Sequence, residues 1–120
     1  MDRHPYSLYR RNGHYIFFSC MIGLDKNGVL VGGGVGVETR QILKNIEEIL
    51  SKHFDLDLSY VMDVRISLID QADYEEMNQT YGSFWHPPNE YPTRECVVVK
   101  GLWSGARVAI KALASLNFNQ

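Results

Sequence analysis

Tyr91-Pro92-Thr93-Arg94-Glu95-Cys96-Val97-Val98-Val99-Lys100 is the stretch from which the rest of the chain can be placed. Pro92 has no N–H to give a sheet ladder and belongs at a strand entrance. The β-branched run after it therefore reads as a buried strand beginning near Thr93. Alternation puts Arg94, Cys96 and Val98 on one face of that strand and Glu95, Val97 and Val99 on the other. A guanidinium at the mouth of such a strand is costly to bury without an anion, and the anion that fits its fork is a carboxylate. That carboxylate belongs either to a ligand or to an acidic residue of this chain or a neighbouring subunit.

Upstream of the strand, Ser83 to Tyr91 reads as a loop in which Pro87, Pro88 and Asn89 exclude regular structure and Trp85 and His86 are exposed or half-buried. Asp73 with Glu76 three residues on has the form of a capping box, opening a helix whose apolar face is Tyr74, Met77, Tyr81 and Phe84. Before it, Met62, Val64, Ile66 and Leu68 alternate with Asp63, Arg65 and Ser67, the pattern of a half-buried strand. From Val37 to Phe54, Ile42, Leu43, Ile46, Ile49, Leu50 and Phe54 recur at helical steps, with Glu38, Arg40, Lys44, Glu47, Glu48 and Lys52 on a solvated face. The glycines at 32, 33, 34 and 36 lack both a following Gly-Lys-Ser/Thr and the GxGxxG spacing, so they read as a strand-to-helix connection rather than a phosphate loop. Nearer the N-terminus, Tyr6–Arg10 and Tyr15–Met21 flank Asn12-Gly13, the strongest short hairpin signal, and Asp25-Lys26-Asn27-Gly28 turns into Val29–Val31. Downstream, Trp103-Ser104-Gly105-Ala106 is a turn and Arg107 to Ala114 the last strand.

This order predicts an α+β fold of two βαβ-like halves, with both helices on one face of a mixed β-sheet. The second sheet face then has no cover within the chain, and an oligomer is expected.

Composition bounds the function. At 120 residues the chain is expected to be one domain spanning 1–120. Hydrophobic residues at 45% and charged residues at 22% are ordinary for a globular protein. No apolar run is long enough to span a bilayer, and the polar, basic Met1–Gly13 is unlike a secretory signal, which points to the cytosol and to no membrane partner. A net charge of -2 and one basic pair, Arg10-Arg11, argue against a nucleic-acid surface. Cys20 and Cys96 have no CxxC or zinc spacing and are expected to be free thiols, while the scattered His4, His14, His53 and His86 suggest no metal.

Taken together, several pieces resemble the YjgF/RidA family of reactive-intermediate deaminases, formerly known as endoribonuclease L-PSP. His4-Pro5-Tyr6-Ser7 is similar to the family's Gly-Pro-Tyr-Ser opening, and Phe17-Phe18-Ser19-Cys20-Met21 to its hydrophobic-Ser-Gly-Gln strand. Glu38-Thr39-Arg40-Gln41 with Asn45 resembles its Gln-Thr-Arg-Gln and Asn helix. Tyr74–Phe84, with Asn78 and Tyr81, resembles its second helix, and Pro92-Thr93-Arg94-Glu95-Cys96 its Pro-Ala-Arg-Ser-Cys signature. The resemblance implies a chorismate-mutase-like homotrimer with ligand clefts between subunits. It also implies cofactor-free hydrolysis of enamines and imines, such as 2-aminoacrylate or the 2-iminobutanoate and 2-iminopropanoate type, to 2-keto acids and ammonia. Carried over, Arg94 clamps the substrate carboxylate, Cys96 lines the reacting centre, and Tyr6 and Ser19 shape the cleft.

Two positions depart from the family pattern. Ala109, in Val108-Ala109-Ile110-Lys111, stands where the family's water-positioning glutamate is expected, and an alanine cannot act as a general acid or base. Cys20 replaces the glycine of the Ser-Gly pair and would narrow the cleft. By strand parity Glu95 is a poor substitute for the missing glutamate, whereas Glu90 on the loop could reach in. The alternative to a deaminase is therefore a family member that binds or senses a small carboxylate, such as a 2-keto acid, without catalysis.

Overall fold

A computed structural model describes residues 5–86 and 91–116. In chain order the elements are β1 (Tyr9–Asn12), β2 (Tyr15–Phe18), α1 (Val35–Phe54), β3 (Val61–Leu68), α2 (Tyr74–Gly82), β4 (Thr93–Val98) and β5 (Val108–Ser115). The five strands form one mixed sheet in the order β1-β2-β5-β3-β4. β5 runs antiparallel to both β2 and β3, and β3 and β4 are parallel, as a βαβ unit through α2 requires. This is the expected α+β architecture.

The first hairpin closes on Gly13-His14, with Asn12 paired to Tyr15. Gly13 supplies the positive φ of 62° that the tight turn needs. Both strands are shorter than expected, because past Phe18 the chain leaves β1 and Met21 bridges to Ile110 of β5 instead. The Asp25–Gly28 turn does form: Asp25 accepts from the Asn27 and Val29 N–H groups, and a single bridge joins Leu24 to Leu30.

α1 buries Ile42, Leu43, Ile46 and Leu50, as its periodicity predicts. Glu38 departs from its expected solvated face. It is 3% exposed, and its carboxylate accepts the Arg107 N–H at 2.8 Å, at the entrance to β5. Gly23 lies against α1 so closely that a Cβ there would stand 2.9 Å from the Glu38 carbonyl oxygen.

The expected capping box is absent. Asp73 has helical dihedrals, and its carboxylate accepts from the Arg107 guanidinium at 2.7 Å instead. Glu76 accepts the Gly36 N–H at 3.2 Å, so a side chain of α2 satisfies the start of α1. Asp70 opens the preceding 3₁₀ turn by accepting the Ala72 N–H.

In β3 a bulge between Val61 and Asp63 shifts the alternation by one residue. Val61 is therefore buried, and Met62, expected inside, is exposed. β4 lies at the sheet edge and is not the buried strand its composition suggests, with Val97 and Val98 43% and 54% exposed. Its β-branched residues reflect pairing to β3 rather than burial on both sides.

The core lies between the sheet and the helices. Ile16, Phe18, Val64, Ile66, Leu68, Val108 and Ile110 meet the apolar stripe of α1 and Met77 and Tyr81 of α2. The opposite sheet face carries Tyr15 and Phe17, 50% and 46% exposed, and a cross-strand row of Lys111, Arg65 and Glu95.

Candidate functional site

Register fixes where Arg94 points. It pairs with Val64, and Cys96 with Ile66, so both project toward the helix-covered face of the edge strand. There α2 presents Tyr74, Asn78 and Tyr81, spaced i, i+4 and i+7 along one side of the helix. Arg94 Nη1 donates to Asn78 Oδ1 at 2.7 Å and Nη2 donates to the Tyr74 hydroxyl at 2.8 Å. The guanidinium carbon lies 5.0 Å from the centre of the Tyr81 ring and 5.7 Å from that of Tyr74. Every one of these partners is neutral, and among the described residues no carboxylate pairs with Arg94. Described residues take up two of the five guanidinium N–H donors and leave three for an incoming anion.

The aromatic wall behind Arg94 is more buried than expected. Trp85, expected exposed or half-buried, is 4% exposed and lies 5.4 Å from the Tyr81 ring, centre to centre. Among the described residues neither the Tyr81 hydroxyl nor the Trp85 indole N–H has a hydrogen-bond partner. Burial pushes the Tyr81 phenol well above its ordinary range, against the pull of Arg94, so the ring stays neutral beneath the cation. Burial likewise raises the Cys96 thiol, with Arg94 working the other way. Cys96 is thus a neutral thiol near pH 7 and no ready nucleophile.

Beside these residues, between β4 and the start of α2, runs an open groove of about 460 Å³ lined in part by Leu68, Ala72, Tyr74, Cys96 and Val98. A depression of about 540 Å³ on the far side of α1 is larger but lies away from Arg94. Its Asn45 amide is committed to the Leu24 carbonyl at 2.8 Å, and we assign it no chemistry.

The other expected site residues lie elsewhere in the chain. Ala109 pairs with Ser67 and faces the side of the sheet away from Arg94, across β3. Glu95 shares the Ala109 face, so parity separates it from Arg94 and not from Ala109; it lies 3.7 Å from Arg65. Ser19 donates its hydroxyl to the Ser7 carbonyl at 2.6 Å, and Tyr6 is 61% exposed near the start of the described chain. Cys20 is an exposed residue whose thiol is raised by partial desolvation against the opposing pull of Lys111, which donates to the Phe18 carbonyl. Met21, next to Cys20, and Cys96 are separated by the strand row Ile110–Ile66, about 14 Å at ordinary strand spacing, so the two cysteines stay apart as free thiols. Glu90 and His4 lie outside the described residues. One chain therefore brings together Arg94, Cys96, Tyr74, Asn78 and Tyr81, and does not bring Tyr6, Ser19, Cys20 or Ala109 to them. Tyr74 as an arginine-holding group is a residue the sequence reading assigned to the core; its i+4 spacing to Asn78 was the available signal.

The family model for Endoribonuclease L-PSP matches residues 2–116. The chain belongs to this family. Human 2-iminobutanoate/2-iminopropanoate deaminase is 35% identical over 111 residues, 92% of this chain and 79% of that one. Among solved structures, RidA from a Psychrobacter species is 25% identical, with a TM-score of 0.85 over 96% of this chain and 91% of the other. TdcF of E. coli, crystallised with bound serine, is 26% identical, with a TM-score of 0.84 over 95% and 90% of the two chains. The RidA relationship read from the joined motifs is thereby established, and with it the fold. No helix among the described residues is long and apolar enough to cross a membrane, and no group of three His, Cys, Asp or Glu residues among them could hold a metal ion.

Proposed function

We propose that this RidA-family chain acts on 2-imino acids and their enamine tautomers, hydrolysing them to 2-keto acids and ammonia. The observation that carries the reading is Arg94, a cation held, among the described residues, by neutral groups alone. Such an arginine keeps its full charge for a ligand carboxylate, which its fork can take with two hydrogen bonds. Serine bound to TdcF is a ligand of that kind, bearing an α-carboxylate. With the carboxylate clamped, the imine carbon lies along β4 beside Cys96, whose neutral thiol and backbone line the reacting centre. Water adds across the C=N bond, its oxygen to carbon and one proton to nitrogen; the C–N bond of the resulting carbinolamine then breaks as the hydroxyl proton passes to nitrogen, leaving the keto group and ammonia. An imine is already electrophilic, so holding it in position against water supplies much of the acceleration. No cofactor is needed.

The separation of Arg94 from Tyr6, Ser19, Cys20 and Ala109 supports a homotrimer in which a second subunit supplies those residues to a shared cleft. A cytosolic setting completes the proposal. Glu90 is a candidate for orienting water in place of the missing glutamate.

Ala109 favours a second reading, in which the clamp is kept as a ligand site for 2-keto acids and the reaction is lost, because a methyl group orients no water. RNA cleavage has no support in the net charge of -2. The test is ammonia release from enzymatically generated 2-aminoacrylate by the protein and its Arg94→Ala variant. Release above the uncatalysed rate that disappears in the variant supports the deaminase. No acceleration, with Arg94-dependent binding of keto acids by calorimetry, selects the second reading.

A further inference from the structure

The groove beside Arg94 is larger than a three-carbon imino acid needs. We infer that it selects ligands with an extended, uncharged side chain and turns acidic ones away. The inference rests on the carboxylate clamp at Arg94. Arg94, Cys96 and Val98 form one row on β4, about 13 Å from end to end at ordinary strand rise. Tyr74 joins the two parts: its hydroxyl accepts from Arg94, and it also lines the groove. A ligand whose carboxylate meets Arg94 and whose reacting carbon lies near Cys96 directs its side chain toward Val98, over the buried Leu68 and past the small Ala72.

Leu68, Ala72 and Val98 give that path an apolar side and Gln71 and Glu75 a polar one, and its volume of about 460 Å³ falls in the range of pockets that take ligands far larger than 2-aminoacrylate. Among the described residues the one charged member of its lining is Glu75, on the first turn of α2. A second carboxylate on the ligand would approach Glu75, and no cation among the described lining residues offsets it. The groove thus favours the imino and keto acids of leucine- or methionine-like side chains over the three-carbon pair, and disfavours those of acidic amino acids.

Calorimetry with pyruvate, 4-methyl-2-oxopentanoate and 2-oxoglutarate tests this whether or not the chain is catalytic. The six-carbon apolar acid is expected to bind about tenfold tighter than pyruvate, since the open groove takes roughly half the surface of three further carbons out of water. 2-Oxoglutarate is expected to bind weakest and to gain relative to pyruvate in Glu75→Gln. Ala72→Phe, which fills the groove, is expected to bring the ratio of the apolar acid to pyruvate close to one. Val98→Trp obstructs the same groove from the exposed edge strand and serves if Ala72→Phe fails to fold. Equal affinity for pyruvate and the apolar acid, both lost in Arg94→Ala, leaves the clamp standing and overturns the groove. So does a tenfold preference that survives both obstructions. Absence of binding by any of the three acids overturns the clamp, and this inference with it.

Discussion

Arg94 shows how a charge is kept available for a ligand. The i, i+4 pair Tyr74 and Asn78 aims the guanidinium by hydrogen bonds and leaves its charge uncancelled. Asn78→Asp would replace a neutral acceptor with an anion at 2.7 Å, giving Arg94 an anionic partner that no other described residue provides. The expected outcome is a loss of keto-acid affinity on the order of tenfold or more, with little loss of stability, measured by calorimetry beside a thermal melt. Tyr74→Phe keeps the ring and removes one hydrogen bond, and is expected to weaken binding by about fivefold. If Asn78→Asp binds as tightly as the parent, the charge of Arg94 is not what holds the ligand. Sequence made Arg94 conspicuous and left open whether its anion was internal, since parity names a face and not what stands opposite it.

At the scale of elements, the edge strand that carries Arg94 is fastened at its entrance. Thr93 donates to Asp63 at 2.6 Å and to the Met62 carbonyl at 3.2 Å, tying β4 to the bulge of β3. The Thr93 hydrogen bond, helped by Arg65, holds the Asp63 carboxyl below its ordinary range. A depressed carboxyl stabilises the fold above its unfolded value, about pH 4, and that stability is lost as pH falls through the folded value. Thr93→Val is therefore expected to cost about 1 kcal/mol near pH 7 and less at an acid pH below the folded value of Asp63, where the parent's carboxyl is protonated too. Denaturant melts at the two pH values measure the difference; an equal cost at both would mean the contact is not charge-assisted. Long-range pairings of this kind, like Glu38 to the Arg107 amide and Glu76 to the Gly36 amide, were out of reach of sequence patterns. Helical spacing put Glu38 on a polar stripe, and only the approach of β5 turned that position inward.

For the whole molecule, the helices cover one face of the sheet and leave Tyr15 and Phe17 half exposed on the other. Light scattering at micromolar concentration is expected to give three chains per particle, and a stable folded monomer would overturn the trimer. Periodicity located α1, the apolar face of α2 and β3, because a core face repeats every 3.6 or two residues whatever it packs against. The joined order of short motifs was enough to reach the family. Tertiary structure decided what periodicity cannot encode: β5 inserts between β2 and β3, β4 is left at the edge, and a bulge moves Met62 outward. It also divided the expected site between two sheet faces. Strand neighbours and the identity of what lies across a face are set by contacts distant in sequence, and those exist only once the chain has folded.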